Sequence, residues 1–185
     1  RLTQSLFLDG VIKEGSITPS DDPELTKGQN DALSKCLGND ITFLMGAAST
    51  GKTRITGKAV SKLLEQNETV LFCCNTRAAL DHASERLDSS NASLTLSTIA
   101  GLINETSPTR YDTVVVDEAG MANLAEVLLL SDRADKRLIF VGVPMQLPPI
   151  AITQNHWLSQ SIFQHQAKSE NLSSLYVWHR QNNDV

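Results

Sequence analysis

Gly46-Ala47-Ala48-Ser49-Thr50-Gly51-Lys52-Thr53 has the residue types and spacing of a loop that wraps a phosphate chain. The pattern Gly-x-x-x-x-Gly-Lys-Thr lets successive backbone N–H groups converge on anionic oxygens, because glycine accepts tight backbone conformations. An apolar run, Ile41–Met45, precedes the loop, and Ile55, Ala59 and Leu63 recur at helical spacing after it. Strand, loop and helix in that order are the context the motif requires. Gly46, Ala47, Ala48, Ser49, Thr50, Gly51, Lys52 and Thr53 are therefore candidate nucleotide contacts. The following helix N-terminus adds favourable dipole charge. Lys52 is placed to reach the β- and γ-phosphates, and the Thr53 hydroxyl to ligate Mg²⁺. ATP and Mg²⁺ are the expected ligands.

Thr113-Val114-Val115-Val116-Asp117-Glu118 is a β-branched run ending in two carboxylates. At the end of a strand in an open parallel sheet, both acids face the ligand crevice. Asp117 is the candidate Mg²⁺ residue, and Glu118 the candidate general base for an attacking water. A glutamate beside the metal aspartate favours hydrolysis over transfer to a small acceptor. A strand running into a solvated acidic turn is the plainer alternative for this segment taken alone.

Four runs read as strands: Ile41–Met45, Thr69–Cys74, Asp112–Val116 and Arg137–Val141. Helical patterns follow the phosphate loop and cover Arg77–Leu87 and Asn123–Leu130. Such alternation predicts an α/β domain, a parallel sheet with helices on both faces. Residues 1–24, punctuated by Gly10, Gly15, Pro19 and Pro23, read as a short strand near Leu6–Leu8 followed by a linker. Residues 25–185 form the nucleotide-binding domain.

Several further segments resemble the motifs of superfamily-one helicases. Leu25–Leu33 is similar to their Q-motif, which implies that Gln29 reads the adenine edge, a pairing an amide can make. Leu71-Phe72-Cys73-Cys74-Asn75-Thr76-Arg77-Ala78-Ala79-Leu80-Asp81, with the trailing Glu85-Arg86-Leu87, resembles motif Ia of the nonsense-decay and replication-nuclease branch. The resemblance implies that Thr76 and Arg77 hold the phosphates of a nucleic-acid strand, contacts that position without reading sequence. Leu96-Ser97-Thr98-Ile99 is similar to the next strand-binding segment and adds Thr98. Threonines at helix starts also serve simply as caps. Gly142-x-x-x-Gln146-Leu147-Pro148-Pro149 resembles motif III and implies a catalytic coupling role for Gln146. Leu158–Phe163 resembles the helix after it, and His179-Arg180 the approach to motif IV, implying that Arg180 supplies charge to the transition state. The implied whole is a RecA-like phosphate-loop NTPase domain, one piece of a longer helicase. In it the Arg137–Val141 strand lies between the phosphate-loop strand and the Asp117 strand. Implied partners are single-stranded nucleic acid, DNA or RNA, and a second RecA-like domain outside this chain.

The chain departs from that family pattern in several places. Ala47-Ala48-Ser49 replaces Pro-Pro-Gly, Val143 stands where Asp is usual, Gly120 where a polar residue is common, and His179 where an aromatic is usual. The stretch from Thr76 to Asp117 is too short for an inserted domain. These changes motivate an alternative, a degenerate nucleotide- or nucleic-acid-binding module without productive turnover. A small-molecule phosphotransferase would need an arginine-bearing lid that the chain lacks.

Bulk composition limits the remaining classes. With 185 residues, 41% hydrophobic and 20% charged, the chain fits one globular domain rather than a disordered segment. No apolar run reaches the roughly 20 residues of a membrane span, so no membrane partner is expected. The three cysteines, Cys36, Cys73 and Cys74, form no CxxC pair and read as buried thiols of an intracellular protein. A net charge of −5 gives no global basic footprint, so nucleic acid would need a local groove.

Overall fold

The computed structural model describes residues 2–4, 6, 19–47, 50–105, 107–143 and 160–163. Its apolar runs form five strands: β1 (Ile41–Met45), β2 (Val70–Cys74), β3 (Leu94–Thr98), β4 (Tyr111–Val116) and β5 (Ala134–Gly142). Every pairing is parallel, and the order is β1-β5-β4-β2-β3. β5 therefore lies between β1 and β4, as the resemblance implies. The helices are α1 (Leu2–Gln4, a single turn), α2 (Lys27–Gly38), α3 (Lys52–Glu65), α4 (Arg77–Ser84), α5 (Ile99–Ile103) and α6 (Leu124–Ser131).

Strands covered on both faces need apolar residues at consecutive positions, and β1 and β2 are buried throughout. Successive side chains enter opposite cores. Leu71, Cys73, Val114, Val116 and Phe140 face one core, closed by Leu102 of α5 and by Leu124 and Leu130 of α6. Phe72, Val115, Ile139 and Val141 face the other, closed by Leu33 of α2, Ile55, Ala59 and Leu63 of α3, and Leu80 of α4. This is the α/β architecture with helices on both faces that the alternation predicts.

Two elements depart from the sequence reading. β3 was not among the expected strands. It lies at the sheet edge, and its Thr95, Ser97 and Thr98 are only half-buried, so it lacks the apolar run that marks its neighbours. The expected strand near Leu6–Leu8 does not form at Leu6; Leu2–Gln4 is a helical turn, and Leu2 and Leu6 join the first core. Phe7 and Leu8 lie outside the described residues. The thiols are buried as expected: desolvation pushes Cys36 up to about 12, raises Cys73, and with the nearby Asp117 and Glu118 pushes Cys74 up to about 12.

At the end of the sheet away from the phosphate loop, Glu68 ties three elements together. Both of its carboxylate oxygens accept from Arg137 Nη1 at 2.7 and 2.6 Å, and Oε2 accepts from the Thr113 hydroxyl at 3.1 Å. Arg137 Nε donates to the Leu37 carbonyl at 2.9 Å, which fastens α2 to the same cluster. Only 8% of the Glu68 side chain and 18% of the Arg137 side chain are exposed, so removing one partner strands a charge out of water. Replacing Glu68 with Ala is expected to cost about 3 kcal/mol, measured by urea unfolding, whereas the exposed pair Arg77–Asp81 should be nearly silent on the same assay.

Candidate nucleotide-binding site

Gly46 N–H donates to the Gly142 carbonyl at 3.3 Å, tying the root of the loop after β1 to the end of β5. Thr50 Oγ1 donates to the Ala47 carbonyl at 2.8 Å. Gly51 then takes φ +88°, a left-handed conformation that costs glycine little, and opens α3. A Cβ at Gly51 would also stand 2.5 Å from the Gln29 amide nitrogen and push that side chain aside, but it is the left-handed backbone that calls for glycine here. Lys52 and Thr53 occupy the first turn of α3. Ala48 and Ser49 lie outside the described residues.

The Lys52 ammonium donates to the Gly46 and Ala47 carbonyls, each at 2.7 Å. Partial burial lowers its pKa, while the charge of Asp117 works in the opposite direction. Lysine, loop and aspartate thus form one electrostatic unit across three strands. Asp117 follows β4 directly. Its backbone N–H donates to the Cys73 carbonyl at 2.9 Å, and its Oδ1 accepts from Glu118 N–H at 2.9 Å. Glu118 sits at φ 53°, unusual for a residue with a side chain, and its carbonyl accepts from the Asn75 amide at 3.2 Å. The bend aims two consecutive carboxylates at the same corner. Desolvation raises the Asp117 pKa, with the Glu118 N–H, Lys52 and Arg86 opposing it. Desolvation and then the charge of Asp117 raise Glu118.

Thr53, Asp117 and Glu118 line one cavity of about 250 Å³. Lys52 and Thr53 line an adjoining cleft with Gly51 and Arg54. A hydroxyl and a carboxylate on a shared wall suit Mg²⁺, which takes few protein ligands and keeps waters and phosphate oxygens. No cluster of three or more His, Cys, Asp or Glu that could cage a metal occurs among the described residues, and this chemistry does not call for one.

Gln29 stands against the phosphate loop and also caps α2. Its Oε1 accepts from Thr26 N–H at 3.0 Å, completing a capping box at the start of α2, and its Nε2 donates to the Thr50 carbonyl at 3.4 Å. Thr76 and Thr98 cap α4 and α5, accepting from Ala79 N–H at 3.2 Å and Gly101 N–H at 3.2 Å. Both sit at the C-terminal ends of their strands, on the same rim of the sheet as the phosphate loop. Arg77 is exposed and lies 3.3 Å from Asp81. Gln146 and Arg180 lie outside the described residues. One residue without a role in the sequence reading joins the site: Arg86, just beyond α4, lines both the cavity and the cleft. In the sequence it stands only within Glu85-Arg86-Leu87, which trails the segment resembling motif Ia, with no role attached.

The raised Asp117 pKa has a consequence for stability. The folded state binds the proton more tightly than the unfolded chain, so stability falls as pH rises from the ordinary aspartate value through the raised one. Asp117→Asn removes that penalty. The variant should melt about 2–4 °C higher than the parent at neutral pH, with the gap narrowing as pH falls into the carboxylate range. Magnesium should no longer strengthen its binding of ATP. Scanning calorimetry across pH checks the first outcome, and nucleotide titration with and without Mg²⁺ the second.

Comparison with known proteins agrees with this geometry. Residues 24–184 match the model of the AAA domain family. The chain is 24% identical over 202 residues to Helicase SEN1 of Saccharomyces cerevisiae, covering 97% of this chain and 9% of that protein. It is 32% identical over 66 residues to Regulator of nonsense transcripts 1 of Caenorhabditis elegans, covering 35% of this chain and 6% of that protein. The chain thus spans less than a tenth of the length of these curated relatives. With its phosphate loop, its Asp-Glu strand end and the strand order between them, the chain belongs to the AAA domain family as a RecA-like phosphate-loop NTPase domain of the superfamily-one helicase type, related to the nonsense-decay branch.

Proposed function

We propose that this chain binds Mg·ATP and hydrolyses it as the first motor domain of a helicase or translocase that acts on single-stranded nucleic acid inside the cell. The observation that carries the reading is the shared corner at which Lys52 and Thr53 meet Asp117 and Glu118. Lys52 would exchange the Gly46 and Ala47 carbonyls for the β- and γ-phosphates, so that the ammonium meets charged oxygens in place of neutral ones. Thr53 and Asp117 would hold Mg²⁺, which supplies positive charge against the phosphates when bound. Glu118 accepts the proton of a water whose oxygen bonds to the γ-phosphorus as the bond to the bridging oxygen breaks and ADP departs. Its raised pKa brings it closer to the working pH of a general base.

Gln29 touches the phosphate loop where the adenine edge would follow, and Gln146 and Arg180 are proposed to complete the γ-phosphate surroundings. Thr76, Arg77 and Thr98, on the rim beyond β2 and β3, are the proposed contacts to the nucleic-acid backbone. No helix among the described residues is long and apolar enough to cross a membrane.

The second reading, a module that binds without turnover, draws on Val143 and on Ala47-Ala48-Ser49 within the phosphate loop. Nucleic-acid-stimulated ATP hydrolysis by the intact polypeptide separates the two. Glu118→Gln should keep Mg·ATP affinity within about threefold and lower turnover by about 10²–10⁴-fold. Lys52→Ala should weaken binding itself. Parent protein that binds strands and ATP but shows no stimulated hydrolysis would decide for the module.

A further inference from the structure

We propose that the groove between α3 and α4 is an inorganic-phosphate subsite beside the nucleotide corner, kept open by Gly57 and lined by Arg86 and His82, through which the cleaved phosphate leaves. The proposal rests on the hydrolytic reading above. Three observations lead to it. The cavity that holds Thr53, Asp117 and Glu118 does not stop at the corner but continues past Gly57 to His82 and Arg86. At about 250 Å³ it has room for the volume of about eight liquid waters, enough for a tetrahedral anion with part of its hydration.

Gly57 is the second observation. It lies in the interior of α3, where glycine weakens a helix relative to alanine. Its backbone is not in the left-handed region, and a Cβ built there meets nothing within 4 Å. Neither backbone conformation nor packing requires glycine at this position. What a side chain would do is fill the groove.

Arg86 is the third. It lines both the groove and the cleft along Lys52 and Thr53, so it stands where the two adjoin. Phe72, Ala79 and Ala83 form the apolar part of the wall between. A freed phosphate is repelled by Asp117 and Glu118 and drawn by the Arg86 guanidinium. The charge pattern therefore slopes outward along the groove.

Titration calorimetry with inorganic phosphate on the intact polypeptide tests this. Lys52→Ala weakens the phosphate loop but leaves its backbone donors, so the part of the remaining binding that responds to Arg86→Ala and Gly57→Leu reports the groove. The Lys52→Ala protein is expected to bind phosphate in the millimolar range, and adding Arg86→Ala or Gly57→Leu should weaken that binding at least tenfold. Gly57→Ala, which adds a methyl to open space, should raise the melting temperature and controls for helix damage in Gly57→Leu. With Lys52 restored, Gly57→Leu should slow phosphate release at least fivefold relative to cleavage, seen as a burst of cleaved but unreleased product. Absence of phosphate binding in the Lys52→Ala protein, binding indifferent to Arg86→Ala, or release that keeps pace with cleavage in a folded Gly57→Leu protein would each overturn the proposal. Failure of the hydrolytic reading looks different: the parent would not cleave ATP, while the phosphate titration would still report on the groove.

Discussion

Parallel pairing of β5 with both β1 and β4 is the constraint from which the site follows, because it sets how far the phosphate loop stands from the two carboxylates. Neighbouring strands lie roughly 4.8 Å apart, so β1 and β4, separated by one strand, end roughly 10 Å from each other. Side chains from both ends can reach a common point across that gap without touching. Direct pairing of β1 with β4 would crowd Lys52 against Asp117; two intervening strands would leave them out of reach. The registers Met45 with Gly142 and Val116 with Phe140 bring the strand ends to one rim, and the Gly46–Gly142 hydrogen bond fixes the loop root there. Hydrophobic burial on both faces of the sheet maintains that geometry, with the buried Glu68–Arg137 cluster clamping the opposite end.

The corner itself is arranged against its own stability. Two adjacent carboxylates are partly desolvated, one of them on a residue with positive φ, and a lysine is partly withdrawn from water. Each feature is unfavourable in isolation. Together they describe a surface whose charges are offset by one another until a ligand of opposite charge pattern arrives. Lys52 bonded to its own loop carbonyls fits that description, since those contacts can be exchanged for phosphate oxygens with little rearrangement.

Helix caps connect this corner to the rest of the rim. Thr26 and Gln29 close the start of α2 while Gln29 also reaches Thr50, so the segment before the sheet is fastened to the loop after its first strand. Thr76 and Thr98 cap α4 and α5 beside it. A hydroxyl engaged in a cap still has lone-pair capacity and donates its own proton. Capping and ligand contact are therefore compatible at these positions, and the rim is both well-formed and chemically open.

Much of this was legible before folding. The phosphate loop and the Asp117-Glu118 strand end are local patterns, in which the chemistry depends on spacing along the chain, and β1, β2, β4 and β5 declare themselves through short, mostly apolar stretches of the kind doubly covered strands need. The edge strand β3 was not legible, because a half-exposed strand may carry Thr and Ser without cost. Nor was the role of Arg86: its neighbours Thr53 and Asp117 come from other elements, and no spacing along the chain near α4 encodes that meeting. The desolvation that raises Asp117, the packing of Gln29 against Gly51 and the open space beside Gly57 are likewise products of helices laid across the sheet. Short-range periodicity determines which elements form, while proximity between elements distant in sequence exists only once the two cores have closed.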